Sequence, residues 1–198
     1  MAKVLVLGND PQINSIDFEK IHPNIVTLGV NRIWLKFIPN YFFFSDLIIS
    51  NELSRYPEKL EELKRNSTIY SSDWLQKNIK NKIPGWTKVY SRKNTRLFPD
   101  SISNAIDLFN ANYIPNSIFY IAGVSLKWQD PSHFWKKSNS SSNQIGHSVG
   151  ADWYLPRFEK IKFNMQLLKS KGISMVSVNP NSSLNSFLRY ESIETLYR

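Results

Sequence analysis

Lys3-Val4-Leu5-Val6-Leu7-Gly8-Asn9-Asp10-Pro11 is the stretch that decides the fold of this 198-residue chain. Four consecutive apolar residues between polar flanks read as a strand buried on both faces. Gly-Asn-Asp-Pro then stops the strand in a tight turn, since glycine and asparagine accept unusual torsions and proline cannot continue a ladder. A buried strand that breaks into a polar turn is where an open α/β sheet receives a nucleotide.

Similar strand-then-polar-turn units recur along the chain. Asn24–Leu28 reads as a second strand ending at Gly29-Val30-Asn31, and Tyr41–Phe44 as a third ending at Ser45-Asp46. Thr68–Tyr70 is a short strand, Ser117–Ala122 an apolar strand ending at Gly123, and Ile173–Val178 the last, ending at Asn179-Pro180-Asn181-Ser182. Between them, Ser15 is placed to cap a short helix from Ser15 to Phe18, Trp34–Phe37 is helical or irregular, and Pro57–Asn66 is a charged helix. Ser101–Asn112 has helical apolar spacing at Ile102, Ala105, Ile106, Leu108 and Phe109. Asp152–Lys171 reads as a long helix capped by Asp152 and closed by Gly172, and Ser183–Tyr190 as a closing helix.

Strands alternating with helices imply a single α/β domain over residues 1–198, Rossmann-like, with a mainly parallel sheet flanked by helices. The Ser/Asn-rich run at 138–143 belongs to a short lid loop near 125–147 rather than to a domain boundary. Gly8-Asn9, Asn31, Ser45-Asp46, Gly123 and Asn179 all fall at carboxyl ends of strands, the edge at which such sheets bind ligands. Any one of them alone is ordinary turn chemistry.

Composition narrows the function classes. Hydrophobic residues make up 41% and aromatic residues 14%, which suits a packed core and argues against disorder. No apolar stretch approaches the roughly 20 residues of a membrane-spanning helix, and Met1-Ala2-Lys3 leads directly into a strand without signal-peptide architecture. With no cysteine there is no disulfide frame, thiol nucleophile or thiolate metal site. A cytoplasmic protein is expected, peripheral to a membrane if its basic surface meets one. The net charge of +9 suits an anionic partner: a nucleotide, an anionic glycan, nucleic acid or a membrane face. No DNA- or RNA-binding signature accompanies it, which argues against nucleic acid. A homo-oligomer is left open.

The second informative stretch is Gly146-His147-Ser148, with Asp152 four residues on. An imidazole titrates near neutral pH, so His147 suits a general base; a loop histidine bonded to a carbonyl is the plainer alternative. His133 lacks such flanks, and His22 precedes a proline. Phosphate stabilisation is available from the Gly8-Asn9 backbone and from Ser103 near a helix N-terminus, with Arg96 or Lys127 adding charge. No Asp-x-Asp triplet and no His/Asp cluster with ligand spacing occurs, so no metal or other cofactor is expected. No P-loop or Gly-x-Gly-x-x-Gly is present, against an ordinary kinase or dinucleotide oxidoreductase. Tryptophans 74, 86, 128, 135 and 153 offer faces for an acceptor sugar, or simply pack. A phosphate-binding turn plus a titratable base points to group transfer from a nucleotide-activated donor.

In order along the chain, these segments resemble the small bacterial sialyltransferases that use CMP-sialic acid. Gly8-Asn9-Asp10-Pro11 is similar to that family's Gly-Asn-Gly-Pro-Ser turn, and Asn31 to an asparagine near its donor. Arg96 followed by Ser101-Ile102-Ser103 is similar to its Arg–Thr-Ser-Gly segment, and Ile121-Ala122-Gly123-Val124 to its Ser-Gly-Ile-Asp strand end. Gly146-His147-Ser148 resembles its Gly-His-Ser, and Asn179-Pro180-Asn181-Ser182 its Cys-Pro-Asn-Ser. The resemblance implies an inverting, metal-independent glycosyltransferase with His147 as general base. Its CMP-type donor would be held by Gly8, Asn9, Asp10, Asn31, Ser45, Asp46, Arg96, Ser103, Gly123, Val124, Trp128, Asn179 and Ser182, and its acceptor would be a glycan or lipid-linked hydroxyl. The chain departs from the family at Asp10, where the turn has glycine, and at Ser125, where the strand end has an acid. Trp128, His133 and Trp135 stand where the family places tyrosine hydroxyls for the leaving phosphate. A pyrophosphokinase-like enzyme, or a nucleotide- or glycan-binding protein without activity, are the alternatives on the same scaffold.

Overall fold

A computed structural model describes residues 1–72, 75, 88–90, 100–128, 134 and 151–198, with the side chains of 72, 88–90 and 151–153 left aside. The strands are β1 (Lys3–Leu7), β2 (Val26–Val30), β3 (Tyr41–Phe44), β4 (Thr68–Ser72), β5 (Lys88–Tyr90), β6 (Ile118–Ala122), β7 (Ser174–Ser177) and β8 (Arg189–Tyr190). They form one eight-stranded sheet in the order β5-β4-β3-β2-β1-β6-β7-β8. Every neighbouring pair is parallel. From β1 the chain winds outward through β2 to β5, returns to place β6 on the other side of β1, and winds outward again to β8. The order therefore reverses between β1 and β6, and the crevice beyond their carboxyl ends is the expected ligand site of this architecture.

The apolar strand sequences supply both faces. Leu5, Leu7, Phe42, Phe44, Ile69, Ala122, Val176 and Val178 pack on one side beneath α1 (Leu47–Leu53), α2 (Pro57–Asn66) and the short 3-10 turns, which contribute Ile13, Trp34, Ile49, Leu53 and Leu63. Val4, Val6, Leu28, Val30, Phe43, Phe119 and Ile121 pack on the other beneath α3 (Ser101–Asn112) and α4 (Ala151–Ser170), through Ile102, Ile106, Phe109, Met165 and Leu168. All four apolar residues of β1 are fully buried, as a central parallel strand requires.

Several local expectations are corrected. β2 runs through Gly29 and Val30 rather than ending before them. The first 3-10 turn is Pro11–Ser15, with Ser15 at its end donating to the Gln12 carbonyl; Asp17 caps the next turn by accepting from the Glu19 amide. Asp152 lies inside α4, which begins at Ala151. The expected closing helix is a 3-10 turn at Ser183–Ser186 followed by β8. Gly172 does end α4, in a left-handed backbone at φ +82°.

Candidate functional site at the strand-order reversal

The turn after β1 is clamped to the end of β6. The Gly8 amide donates to the Ala122 carbonyl at 2.9 Å and the Asp10 amide to the Gly123 carbonyl at 3.0 Å. Gln12 locks three strand ends together: its Oε1 accepts from the Gly123 amide at 2.7 Å and its Nε2 donates to the Val178 carbonyl at 2.9 Å. The Asp10 carboxylate accepts from the Ser125 amide on the β6 loop. That loop is held from its other side by Ser182, whose hydroxyl donates to the Val124 carbonyl at 2.7 Å, and by the Ser183 amide on the Ser125 carbonyl at 2.8 Å. Its backbone carries a left-handed leucine, Leu126 at φ +54°, the kind of outlier that survives only where surrounding bonds over-determine it.

Two cavities lie against this loop. The smaller, about 180 Å³, is lined by Gly8, Asn9, Asp10, Asn31, Asp100 and Gly123, with Ser101, Val124, Leu126, Tyr154 and Arg157 among the rest of the wall. The larger, about 590 Å³, is lined by Lys127, Trp128, Asn179, Asn181, Tyr190 and Glu194 among others. The Trp128 ring packs on Tyr154 at 5.2 Å between centroids, so one aromatic pair borders both.

The smaller cavity is rich in acceptors. Asn31 turns the chain after β2 in a left-handed conformation at φ +52°, tolerable for asparagine, and its buried Oδ1 has no partner among the described residues. The Asn9 Oδ1 is buried and unpartnered in the same way. Asp100 caps α3, accepting from the Ser103 amide and from Asn164 Nδ2, each at 2.7 Å. Burial raises the Asp100 carboxyl above the usual carboxylate range, against the pull of those bonds. Burial likewise lifts Asp10, to about 6, with the Ser125 bonds acting in the opposite direction.

The other expected donor residues are distributed around this centre. Ser45 shares a 2.7 Å hydrogen bond with Ser101, which lines the smaller cavity. Asp46 stands beyond β3, its carboxyl raised by desolvation and lowered by Arg32. Arg32, next to Asn31, is bound by Glu52 of α1 through two bonds of 2.7 and 2.5 Å. Ser103 is fully buried and does not line the cavity; it stands against Asp100, to which its amide donates. Asn179 lines the larger cavity, its Oδ1 accepting from the Asn181 amide. Ser182 lines neither; its hydroxyl holds the β6 loop. His147, Arg96, His133 and most of the expected lid lie outside the described residues.

At the expected phosphate cradle of Gly8-Asn9, the amides of Gly8 and Asp10 on either side of Asn9 donate to β6. The α3 N-terminus beside Ser103 already holds the protein's own carboxylate, Asp100. Sequence reasoning missed Asp100, Gln12, Tyr154 and Arg157. Asp100 had a readable signal, an aspartate directly before a helix with apolar spacing. Gln12 had none, because its partners are more than a hundred residues away.

No family model matches the sequence, and no curated protein matches it. Solved structures do. The sialyltransferase CST-II in complex with a trisaccharide acceptor and CMP aligns with a TM-score of 0.62 at 12% identity, over 95% of this chain and 85% of that one. CstII from Campylobacter jejuni with the substrate analogue CMP-3FNeuAc gives 0.59 at 14% identity, over 100% and 89%. The monofunctional α-2,3-sialyltransferase Cst-I from Campylobacter jejuni gives 0.61 at 13% identity, over 100% and 82%. The chain has a sialyltransferase fold. At this identity the likeness establishes the fold, while the residues in the crevice are this chain's own. Among the described residues no three His, Cys, Asp or Glu cluster as a metal site, and no helix is long and apolar enough to cross a membrane.

Proposed function

We propose that this protein is a glycosyltransferase that moves a sugar from a CMP-type nucleotide donor to a hydroxyl of a glycan or lipid-linked acceptor, in one domain, with inversion and without a metal ion. The observation that carries the reading is the pair of cavities at the β1/β6 reversal of a sialyltransferase fold, lined by Asn9, Asn31, Gly123, Val124, Trp128 and Asn179. The larger cavity suits the nucleotide. Trp128 offers a stacking face, Lys127 a charge for phosphate, and Asn179 and Asn181 polar edges for a pyrimidine. The smaller suits the sugar to be transferred.

In the reaction the acceptor hydroxyl attacks the anomeric carbon from the face opposite the nucleotide. The glycosidic bond to phosphate breaks, CMP leaves with the bonding electron pair, and the hydroxyl proton passes to His147. A general base of this kind contributes roughly 10²–10⁴-fold. Arg96 is assigned to the departing phosphate. Asp10 and Asp100 are poor candidates for a cation site, because their oxygens are already bonded to Ser125, Ser103 and Asn164.

Transfer is tested by incubating the protein with CMP-activated donors and a panel of glycan acceptors and measuring CMP released with and without acceptor. His147→Ala should lower kcat at least a hundredfold while CMP affinity stays nearly unchanged. Undiminished turnover in a folded His147→Ala protein would remove the base from the scheme.

A further inference from the structure

α4 is apolar on two sides. Phe158, Ile161, Met165 and Leu168 pack into the core. Leu155 and Phe163, eight residues apart, share the opposite side of the helix and are 49% and 64% exposed. After Met1, Phe163 is the most exposed large apolar side chain among the described residues, and nothing in the packing of α4 on the core calls for it. Pro156 is exposed beside them. Lysines edge this strip: by helical spacing Lys160 borders one side, and Lys162 and Lys169 the other. Lys169 also donates to the Phe187 carbonyl. Between 154 and 171 the chain carries five basic residues, Arg157, Lys160, Lys162, Lys169 and Lys171, against one acid. That acid, Glu159, lies on the strip between Leu155 and Phe163.

We propose that this face of α4 seats the protein on an anionic lipid bilayer, with Leu155 and Phe163 entering the headgroup boundary and Lys160 and Lys162 meeting the lipid charge. An apolar strip edged by lysines is the pattern of a helix that lies in a membrane interface rather than across it. Lysine stems cover apolar surface while their ammonium groups stay among the headgroups. The net charge of +9 acts in the same direction. A second copy of the chain fits the face less well, because two such faces would bring like-charged lysine edges together. Nucleic acid would use the lysines and give Leu155 and Phe163 no role. The same helix walls the small cavity with Tyr154, Arg157, Phe158 and Ile161, on the side away from the exposed strip. Seated this way, the crevice lies about one helix diameter, roughly 10–12 Å, from the headgroups. That position suits a lipid-linked acceptor, a consequence that alone rests on the glycosyltransferase reading.

The test is cosedimentation of the whole protein with vesicles of phosphatidylcholine, alone and with phosphatidylglycerol added. Wild type should bind the anionic vesicles at least tenfold more tightly than the neutral ones, and lose most of that preference at high salt. Lys160→Gln/Lys162→Gln should weaken binding to anionic vesicles about 25-fold, at about fivefold per basic residue. Leu155→Ser/Phe163→Ser should weaken it at least tenfold. Glu159→Gln, which removes the acid from the strip, should tighten it at least twofold. None of these positions is buried, so the variants should melt as wild type does. No binding to anionic vesicles would overturn the inference. So would binding that the serine pair leaves unchanged, since the contact would then lie elsewhere or be one of charge alone. Wild-type self-association in the ultracentrifuge that the serine pair abolishes would give the face to a second copy and overturn it too. CMP binding is measured on the same proteins without lipid; its failure would overturn the donor reading and leave this surface standing.

Discussion

Gly8→Ala is the substitution on which the crevice geometry makes its sharpest demand. A Cβ at Gly8 would lie against the Gly123 carbonyl oxygen and 2.7 Å from Val124 Cγ2. Carbon atoms pack at about 3.5–4.0 Å, so the overlap is close to an ångström, and one wall of it is backbone. That backbone cannot move alone, since the Gly8–Ala122 and Asp10–Gly123 bonds at 2.9 and 3.0 Å and the Gln12 bridge fix it. The cost therefore falls at the upper end of the overpacking range, about 3 kcal/mol. For a chain of this size that is a melting temperature lower by about 6–12 °C. CMP affinity should fall at least tenfold, because both cavities share the β6 loop. Gly172→Ala is the contrast. Nothing lies within 4 Å of its Cβ position, but its φ of +82° penalises any side chain by about 1–2 kcal/mol. It should melt lower with CMP binding unchanged. Thermal denaturation and calorimetry on the two variants decide the matter, and a Gly8→Ala protein that melts within 2 °C of wild type and binds CMP normally would refute the geometry.

Asp10 gives a pH signature. Its folded pKa of about 6 lies above the ordinary 3.8, so its contribution to stability is largest in acid and is lost as pH rises through 6. Asp10→Asn should therefore be more stable than wild type at pH 7.5, by up to about 3 kcal/mol, and lose that advantage near pH 4 in matched urea melts; an advantage that is equal at both pH values would contradict this. Arg32→Ala strands Glu52, whose side chain is 11% exposed, and should cost about 3–5 kcal/mol. Removing both partners as Arg32→Met/Glu52→Leu should cost clearly less, as read from urea midpoints in a double-mutant cycle.

Much of the sheet was legible because its central strands are uninterrupted apolar runs. Lys3–Leu7, Tyr41–Phe44 and Ile118–Ala122 announce burial on both faces, and the polar turn after each marks the ligand edge. The outermost strands were not legible. Lys88–Tyr90 and Arg189–Tyr190 are three and two residues long, and β8 is defined by its register against Val176 and Ser177 rather than by its own sequence. Of the site, Gly8, Asn9, Asp10, Asn31, Gly123 and Val124 were recognisable and do share one cavity. The use made of them was not. That the Gly8 and Asp10 amides would donate to β6 follows from a pairing across more than a hundred residues that no local pattern records.

The most direct test of the account is a titration of the wild-type protein with CMP, UDP, GDP and ATP, each with and without magnesium, alongside Trp128→Ala. The account predicts that CMP binds best, that magnesium does not change its affinity, and that Trp128→Ala weakens it at least tenfold. Binding of ATP only with magnesium, with no heat from CMP at millimolar concentration, would contradict the account.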